Sequence, residues 1–399
     1  MPDYDIVTVG GGIGGGAIAK AMAENGRKVL VIEREKKFKD RVRGEYMFPW
    51  GVVAVKELGL WDALIEAGGV PAPRIAVWAG PAALPIRDLP TETAIQETAL
   101  AMYHPAMQEA VLAAAEQAGS EVVRGGKVSN VTSGAEPTVD YEADGGKKTA
   151  SARLVVGADG RNSMVRKWGG FETREEDSGN ILAGVLLEGA SCEGGMANAI
   201  FNPFMGQAAF LFMQREGVGR AYFGYRANSG ERLQGDDALS RLIERCVQTG
   251  APASFYENAK QAGPIASFEG VDSWVEHPYK DGIALVGDAA QTSDQTWGQG
   301  LSITFRDARI LRDALLANDD WTAAGNAYAT AANECFQHIR QVEGWQTLIM
   351  MDQSAEANTA RMKVLPRMAT DPTIFPDTHF SGPELAPADA AAYRKLFGE

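Results

Sequence analysis

"DIVTVGGGIGGGAIAKAMAENGRKVLVIERE" spans residues 5–35 and decides the fold. Six glycines fall between Gly10 and Gly16, directly after the run Asp5–Val9. Glycine in a regular element costs roughly 0.5–1 kcal/mol relative to alanine, so such a run marks backbone that something must approach closely. Residues 5–9 read as a strand. Residues 13–26 set Ile13, Ala17, Ala21 and Met22 at helical spacing and stop at Asn25-Gly26. Val29–Ile32 is a continuous apolar run, as in a strand covered on both faces. The unit is therefore strand, helix, parallel strand. Gly10, Gly12 and Gly15 fit G-x-G-x-x-G at its first turn. The first glycine permits the tight turn, the second lets a pyrophosphate touch the backbone, and the third lets helix and strand pack closely. The helix start then points free N–H groups at phosphates. Glu33, ending the second strand, suits ribose hydroxyls. The stretch predicts a dinucleotide site.

The whole chain has 399 residues, enough for two or more packed lobes. Its net charge is −14, from 38 basic and 52 acidic side chains, which disfavours a nucleic-acid partner. The segment 33–43, "EREKKFKDRVR", mixes both signs and reads as a solvated loop. Cys192, Cys246 and Cys335 lie far apart, without a C-x-x-C, and the four histidines show no ligand spacing. Neither a disulfide framework nor a metal site is expected. No basic-apolar leader and no apolar run of membrane length occurs, so a cytoplasmic protein without a membrane span is expected.

Downstream, 51–67 and 105–118 read as helices, the second with Pro105 at its start. "EVVRGGKVSNVTS" and "TVDYEAD" read as strands turned at "GAEP", and "ARLVVGADG" is another buried strand ending in a glycine turn. From 180 to 275 strands alternate and aromatics gather, interrupted by one helix at "DDALSRLIERCVQTG". That region predicts a mostly antiparallel second lobe. "GIALVGDAA" returns to a buried strand; 299–317 and most of 321–353 read as helix, and a proline-rich tail follows, ending in a short helix.

Two stretches identify the dinucleotide. "VVGADGRNSMVR" (155–166) and "DGIALVGDAAQTSDQTWGQGLSITFRDARIL" (281–311) resemble the DG and GD motifs of the FAD-dependent aromatic hydroxylases of the p-hydroxybenzoate hydroxylase type. The resemblance covers residues 5 to about 320 and is faint in the second lobe. It implies a mixed α/β fold: a Rossmann-like, GR2-type FAD-binding domain built from 1–75, 100–178 and 279–320, a mostly antiparallel β-sheet substrate domain from 76–99 and 179–278, and a C-terminal helical region and tail, 321–399. It implies that Asp288 holds the ribityl chain of FAD, that Asp159 and Gly160 steady the loops around FAD and passing NADPH or NADH, and that Arg43 lies near the pyrophosphate. The full cofactor set expected is Gly10, Gly12, Ile13, Gly14, Gly15, Glu33, Arg34, Arg43, His104, Val128, Asp159, Gly160, Asp288, Gly298, Gln299, Gly300 and Leu301. From the residues alone, Asp288 also reads as a helix N-cap and His104 as the cap of the helix at Pro105. Gly298, Gly300 and the helix from Gln299 place a second helix N-terminus in the same sheet, suited to the anion of a reduced flavin.

The sequence departs from the family pattern. The usual histidine after "GDAA" is Gln291, the paired prolines are Asp294 and Gln295, a frequent glycine is Trp297, and the following asparagine is Ser302. His104 stands where arginine or glutamine is usual. "RGEYMFPWG" (43–51) and Asp294 look like features of the halogenase and geranylgeranyl-reductase-like branch, but the only approach to a halogenase WxWxIP is "SWVEHP" at 273–278, which does not fit. Asp294, Gln295 and Trp297 are the candidate catalytic residues, at the edge between flavin and substrate. Asp294 is open between a general base and a turn-former, Trp297 between a pocket wall and ordinary core. Phe201, Phe204, Phe210, Phe212, Tyr222 and Tyr225 supply a substrate wall of undetermined parity. The expected activity is NAD(P)H-dependent insertion of one atom of O2, through a flavin C4a-hydroperoxide, into a small apolar substrate, aromatic or polyketide-like. An FAD-dependent alkene reductase and a non-catalytic dinucleotide-binding protein are the alternatives. Monomer and homodimer both stay open.

Overall fold

The computed structural model describes residues 2–80 and 82–398. The chain opens with β1 (Tyr4–Val9), α1 (Ile13–Glu24) and β2 (Val29–Glu33). Then come α2 (Pro49–Glu57), β3 (Arg74–Ala79) and α3 (His104–Gln117). Four strands follow, β4 (Glu121–Arg124), β5 (Lys127–Thr132), β6 (Thr138–Ala143) and β7 (Gly146–Gly157), then the short α4 (Met164–Trp168). The second lobe holds β8 (Arg174–Glu188), β9 (Met196–Asn202), β10 (Gln207–Arg215), β11 (Val218–Arg226), α5 (Ala238–Thr249) and β12 (Ala266–Trp274). The rest is β13 (Ile283–Leu285), α6 (Gly300–Ala317), α7 (Trp321–Met350), α8 (Ala355–Thr370), α9 (Thr378–Ser381) and α10 (Ala390–Phe397).

In the first sheet β4, β2, β1, β7 and β13 run parallel, in that order. Every residue of β2 is buried. One face packs on α1, α3 and α6 through residues such as Ile18, Met107 and Phe305. The other lies under the antiparallel hairpins β5–β6–β7, where Val131 and Tyr141 meet Val155 and Leu285. A run apolar on both faces is what such double cover requires. The helix expected over 51–67 is instead two, α2 and Trp61–Glu66. Gly59, at φ +63, closes α2 in the left-handed conformation and breaks the run.

The second sheet has the order β12-β8-β11-β10-β9-β3. All neighbours are antiparallel except β9 and β3. Its outer face is covered by α5, where Leu242 and Cys246 meet Phe223 and Tyr225. Its inner face looks toward α7 and α8 through Phe201, Phe210 and Tyr222. The segment after β13 joins the two sheets: Gly287–Ala289 turns, and Gln291–Thr292 then pairs with Ser273–Trp274 at the end of β12. Among the described residues no helix is long and apolar enough to cross a membrane.

Candidate cofactor and substrate site

A cavity of about 710 Å³ runs between the two sheets, from the glycine turn to the aromatic inner face of the second lobe. The three motif glycines play separate roles. Gly10 sits at φ +99, and a Cβ on it would lie 2.4 Å from the Ala158 carbonyl oxygen. A Cβ on Gly15 would lie 1.9 Å from the Gly10 carbonyl oxygen, so this glycine sets how closely α1 approaches β1. A Cβ on Gly12 would meet only Gln108 Nε2, at 3.5 Å. Gly12 is also the N-cap of α1, without a capping side chain and with no acidic residue in the first turn. Glu33 lines the cavity; its Oε2 accepts from the Gly11 N–H and its Oε1 from the Glu35 N–H, each at 2.7 Å. The carboxylate thus ties the glycine turn to the end of β2 while each oxygen keeps a lone pair for a ligand.

Asp288 lies just after β13, in the segment that joins the two sheets. Its carboxylate accepts no hydrogen bond from the described residues, and burial pushes its pKa up against the pull of Arg43, Arg161 and Arg166. Such a group is satisfied when a ligand supplies hydroxyl donors. A Cβ on Gly300, the first residue of α6, would lie 4.0 Å from Asp288 Oδ1. Gly298 is left-handed at φ +71, and no side chain caps α6. Arg43 lines the cavity and forms no ion pair among the described residues. Its carbonyl accepts from the Tyr222 hydroxyl at 2.7 Å. Positive charge is therefore concentrated here although the chain is acidic overall.

Ile13, Gly14, Arg34, Val128, Gly160 and Leu301 also line the cavity. Asp159 lines it as well, but its carboxylate is occupied by α4: it accepts from Ser163 Oγ and from the N–H groups of Met164 and Val165. His104 is the first residue of α3, and its N–H donates to Glu45 Oε1 at 3.0 Å. Its Nδ1 lies 2.9 Å from the Gly44 carbonyl, which can only accept, so the proton sits on Nδ1 and Nε2 is left as an acceptor. Burial pulls its pKa down to about 4. A neutral ring with a bare Nε2 suits a sugar hydroxyl better than a phosphate. Gln108 and Arg161 are among the cavity residues that the sequence did not mark as site residues. Gln108 follows His104 by one helical turn on the same face, which is the signal that could have found it.

Asp294 and the side chain of Gln299 do not stand at the cavity: neither residue is among those that line it. The Gln299 side chain turns away, accepting from Trp50 Nε1 at 2.9 Å. Asp294 is buried with its Oδ1 accepting from the Thr296 N–H at 2.9 Å and its Oδ2 from Asn180 Nδ2 at 2.7 Å. Both oxygens are engaged, so it acts as the cap of a one-turn 3-10 helix, not as a base facing the cavity. Gln295 does line the cavity, its amide donating to the Glu269 carbonyl and accepting from Arg161. Trp297 lines it too, stacked on Phe201 at 5.9 Å between centroids, with Nε1 donating to Thr347 Oγ1 at 3.0 Å. Of the six aromatics expected on the substrate wall, Phe201, Phe210, Phe212 and Tyr222 face the cavity. Phe204 is a surface residue, 70% exposed, and Tyr225 packs on the opposite face.

The segment "RGEYMFPWG" has a structural anchor. Arg220 on β11 is wholly buried, with Nε 2.7 Å from Glu45 Oε2 and one terminal nitrogen 3.0 Å from Asp40. Gln214 also donates to Glu45. This cluster ties the loop that carries Arg41 and Arg43 to the second sheet. Removing one partner of a buried ion pair costs about 3 kcal/mol or more. Glu45→Ala should lower the unfolding free energy by about that amount in a denaturant titration. A loss under about 1 kcal/mol would show that the cluster does not hold the loop.

Known proteins are similar to this chain in sequence and in fold. The chain is 25% identical over 334 residues to the 3-demethoxyubiquinol 3-hydroxylase of Escherichia coli K12, covering 81% of this chain and 82% of that one. It spans a third or less of the length of the squalene epoxidases and monooxygenases it also matches. Its fold is similar to the p-nitrophenol 4-monooxygenase of Pseudomonas putida DLL-E4, with a TM-score of 0.80, 19% identity, and 97% and 99% of the two chains covered. It is also similar to a triple mutant of the flavin-dependent brominase Bmp2, with a TM-score of 0.77, 17% identity, and 98% and 97% covered. Residues 3–346 match the FAD binding domain family. With its glycine turn, its arginine-rich cavity and that match over most of its length, the chain belongs to the FAD-binding-domain family and is a flavoprotein.

Proposed function

We propose that the protein is an NAD(P)H-dependent FAD monooxygenase that inserts one atom of O2 into an apolar aromatic or polyketide-like substrate. The observation that carries this reading is the make-up of one cavity: glycine turns, uncapped helix starts and arginines at one end, an aromatic wall at the other. The hydroxylase and monooxygenase relatives lean the same way.

In this reading the Gly10–Gly15 turn and the start of α1 hold the pyrophosphate, with Arg43 beside it. Glu33 takes the adenosine ribose, next to Arg34 and Val128, while His104 Nε2, Gln108 and Asp288 take hydroxyls of the linking chain. The Gly298–Leu301 turn presents the N–H groups of α6 to the negative edge of a reduced flavin. When bound, FAD supplies hydride acceptance and dioxygen activation. The chain's own part is to orient the two reactants and keep water out, which Phe201, Phe210, Phe212, Trp297 and the C-terminal helices do. No side chain is needed as a nucleophile.

The features that suggested an alkene reductase have structural employment here: Glu45 pairs with Arg220 and Asp294 caps a turn. Product analysis separates the activities. With NADH or NADPH, air and a panel of aromatic compounds, at least one product should be heavier by one oxygen atom. Products that gain only two hydrogens, with or without air, would replace this reading with the reductase.

A further inference from the structure

Gln291, one of the sequence departures after β13, has a buried partner that the functional reading leaves unused. Asp307 on α6 is wholly buried, and its Oδ2 accepts from the Gly287 N–H at 3.1 Å. Gln291 Nε2 lies 3.2 Å from Asp307 Oδ1 and 3.3 Å from Oδ2, and an amide nitrogen can only donate. One carboxylate therefore grips both ends of the turn that carries Asp288. Burial pushes the Asp307 pKa up to about 6, so at neutral pH the group is ionised and both oxygens accept. Arg306, its neighbour in the chain, pairs with Glu384 at 2.7 Å, and Asp307 forms no ion pair among the described residues. Its hydrogen bonds to the turn are what offset its burial.

The second observation is the helix face on which Asp307 stands. Gly300, Thr304 and Asp307 follow one another at i, i+4 and i+7 on α6 and so share one side of it. Gly287 is left-handed at φ +60, and a Cβ on it would lie 2.7 Å from Thr304 Oγ1. A Cβ on Gly300 would lie 4.0 Å from Asp288 Oδ1. One face of α6 thus meets the turn twice, at the helix start beside Asp288 and two turns further on at Asp307. The Asp288 carboxylate accepts no hydrogen bond from the described residues, so the backbone of the turn is what aims it.

We propose that Asp307 is a positioning residue of the cofactor site: by clamping Gly287 and Gln291 it fixes the Asp288 carboxylate relative to the start of α6, and so sets the affinity for the hydroxylated chain of the flavin. The inference rests on the reading of Asp288 as an acceptor of flavin hydroxyls. Asp307 touches no ligand itself. Its effect on the cofactor passes through Asp288, which a general loss of stability would not do.

A double-mutant cycle on FAD affinity, read by flavin fluorescence as apoprotein is titrated with FAD, tests this. Asp307→Ala should weaken binding about tenfold when Asp288 is present, and by less than about twofold in Asp288→Ala. Gln291→Ala keeps the Gly287 contact and should weaken binding about threefold, again only when Asp288 is present. It completes the same cycle where Asp307→Ala does not fold. Asp307→Asn should stay within about twofold of wild type, because its Oδ1 still accepts from Gly287 and the Gln291 amide turns to present its oxygen. Equal weakening in the two backgrounds would overturn the proposal, as would Asp307→Asn binding as poorly as Asp307→Ala, or Asp307→Ala binding as tightly as wild type. Wild-type affinity in Asp288→Ala is a different failure: it removes Asp288 from the cofactor site, and this proposal with it.

Discussion

Replacing Gly12 by valine yields a folded protein that no longer retains FAD. The position is unusual among the glycines of its turn, because a Cβ there meets only Gln108 Nε2, at 3.5 Å. The backbone is not left-handed: φ is −68°. The apoprotein therefore has room for the new side chain, and its stability should change by no more than about 0.5 kcal/mol. The valine methyls project where a pyrophosphate must touch the backbone. Flavin per chain should fall by at least about tenfold, equivalent to roughly 1.4 kcal/mol or more of lost binding. Gly15→Val is the contrast, since its Cβ would lie 1.9 Å from the Gly10 carbonyl oxygen. That variant should lose the fold along with the flavin. Absorbance of the purified proteins and their circular dichroism read both outcomes; a Gly12→Val protein as yellow as wild type contradicts the placement of the pyrophosphate.

Asp288→Ala separates binding from stability in the opposite direction. The carboxylate is desolvated, finds no donor in the described protein, and is pushed up in pKa by burial. A carboxyl whose folded pKa lies above its unfolded value binds protons more tightly when folded. Its contribution to stability therefore falls as pH rises from the unfolded carboxylate range through the folded value. Removing it should leave the apoprotein as stable as wild type or more so at neutral pH, with a flatter pH dependence above about pH 4. FAD binding should weaken by roughly 5- to 150-fold, the 1–3 kcal/mol of a buried hydroxyl that loses its acceptor. Titration of apoprotein by flavin fluorescence gives the affinity and denaturant unfolding gives the stability. An unchanged dissociation constant would remove Asp288 from the cofactor site.

Some of this was legible in the sequence because its causes are local. The Gly10–Gly16 turn, the period of α1 and the apolar run of β2 each need only neighbouring residues. What depended on distant partners was not legible. Glu45 and Arg220 are 175 residues apart, and nothing local marks either as half of a buried pair. The parity of the second-lobe aromatics could not be read because both faces of that sheet are covered, by α5 outside and by α7 and α8 inside. With both faces buried, alternation no longer distinguishes them. The side chains of Asp294 and Gln299 point elsewhere for another reason. Position in a motif fixes the backbone, whereas Asn180 and Trp50, far away in sequence, decide where those two side chains go. The break at Gly59 was missed because an apolar helical period continues on either side of it.

The central claim is that elements of both sheets enclose one flavin with the substrate against its reactive edge. Electron density from crystals grown with FAD and 2-naphthol tests it most directly. The isoalloxazine should lie between the Gly298–Leu301 turn and the wall of Phe210, Phe212 and Tyr222, with Asp288 on the ribityl chain and the naphthol ring beyond it. A flavin bound outside that cavity, or a naphthol separated from it by protein, would contradict the account.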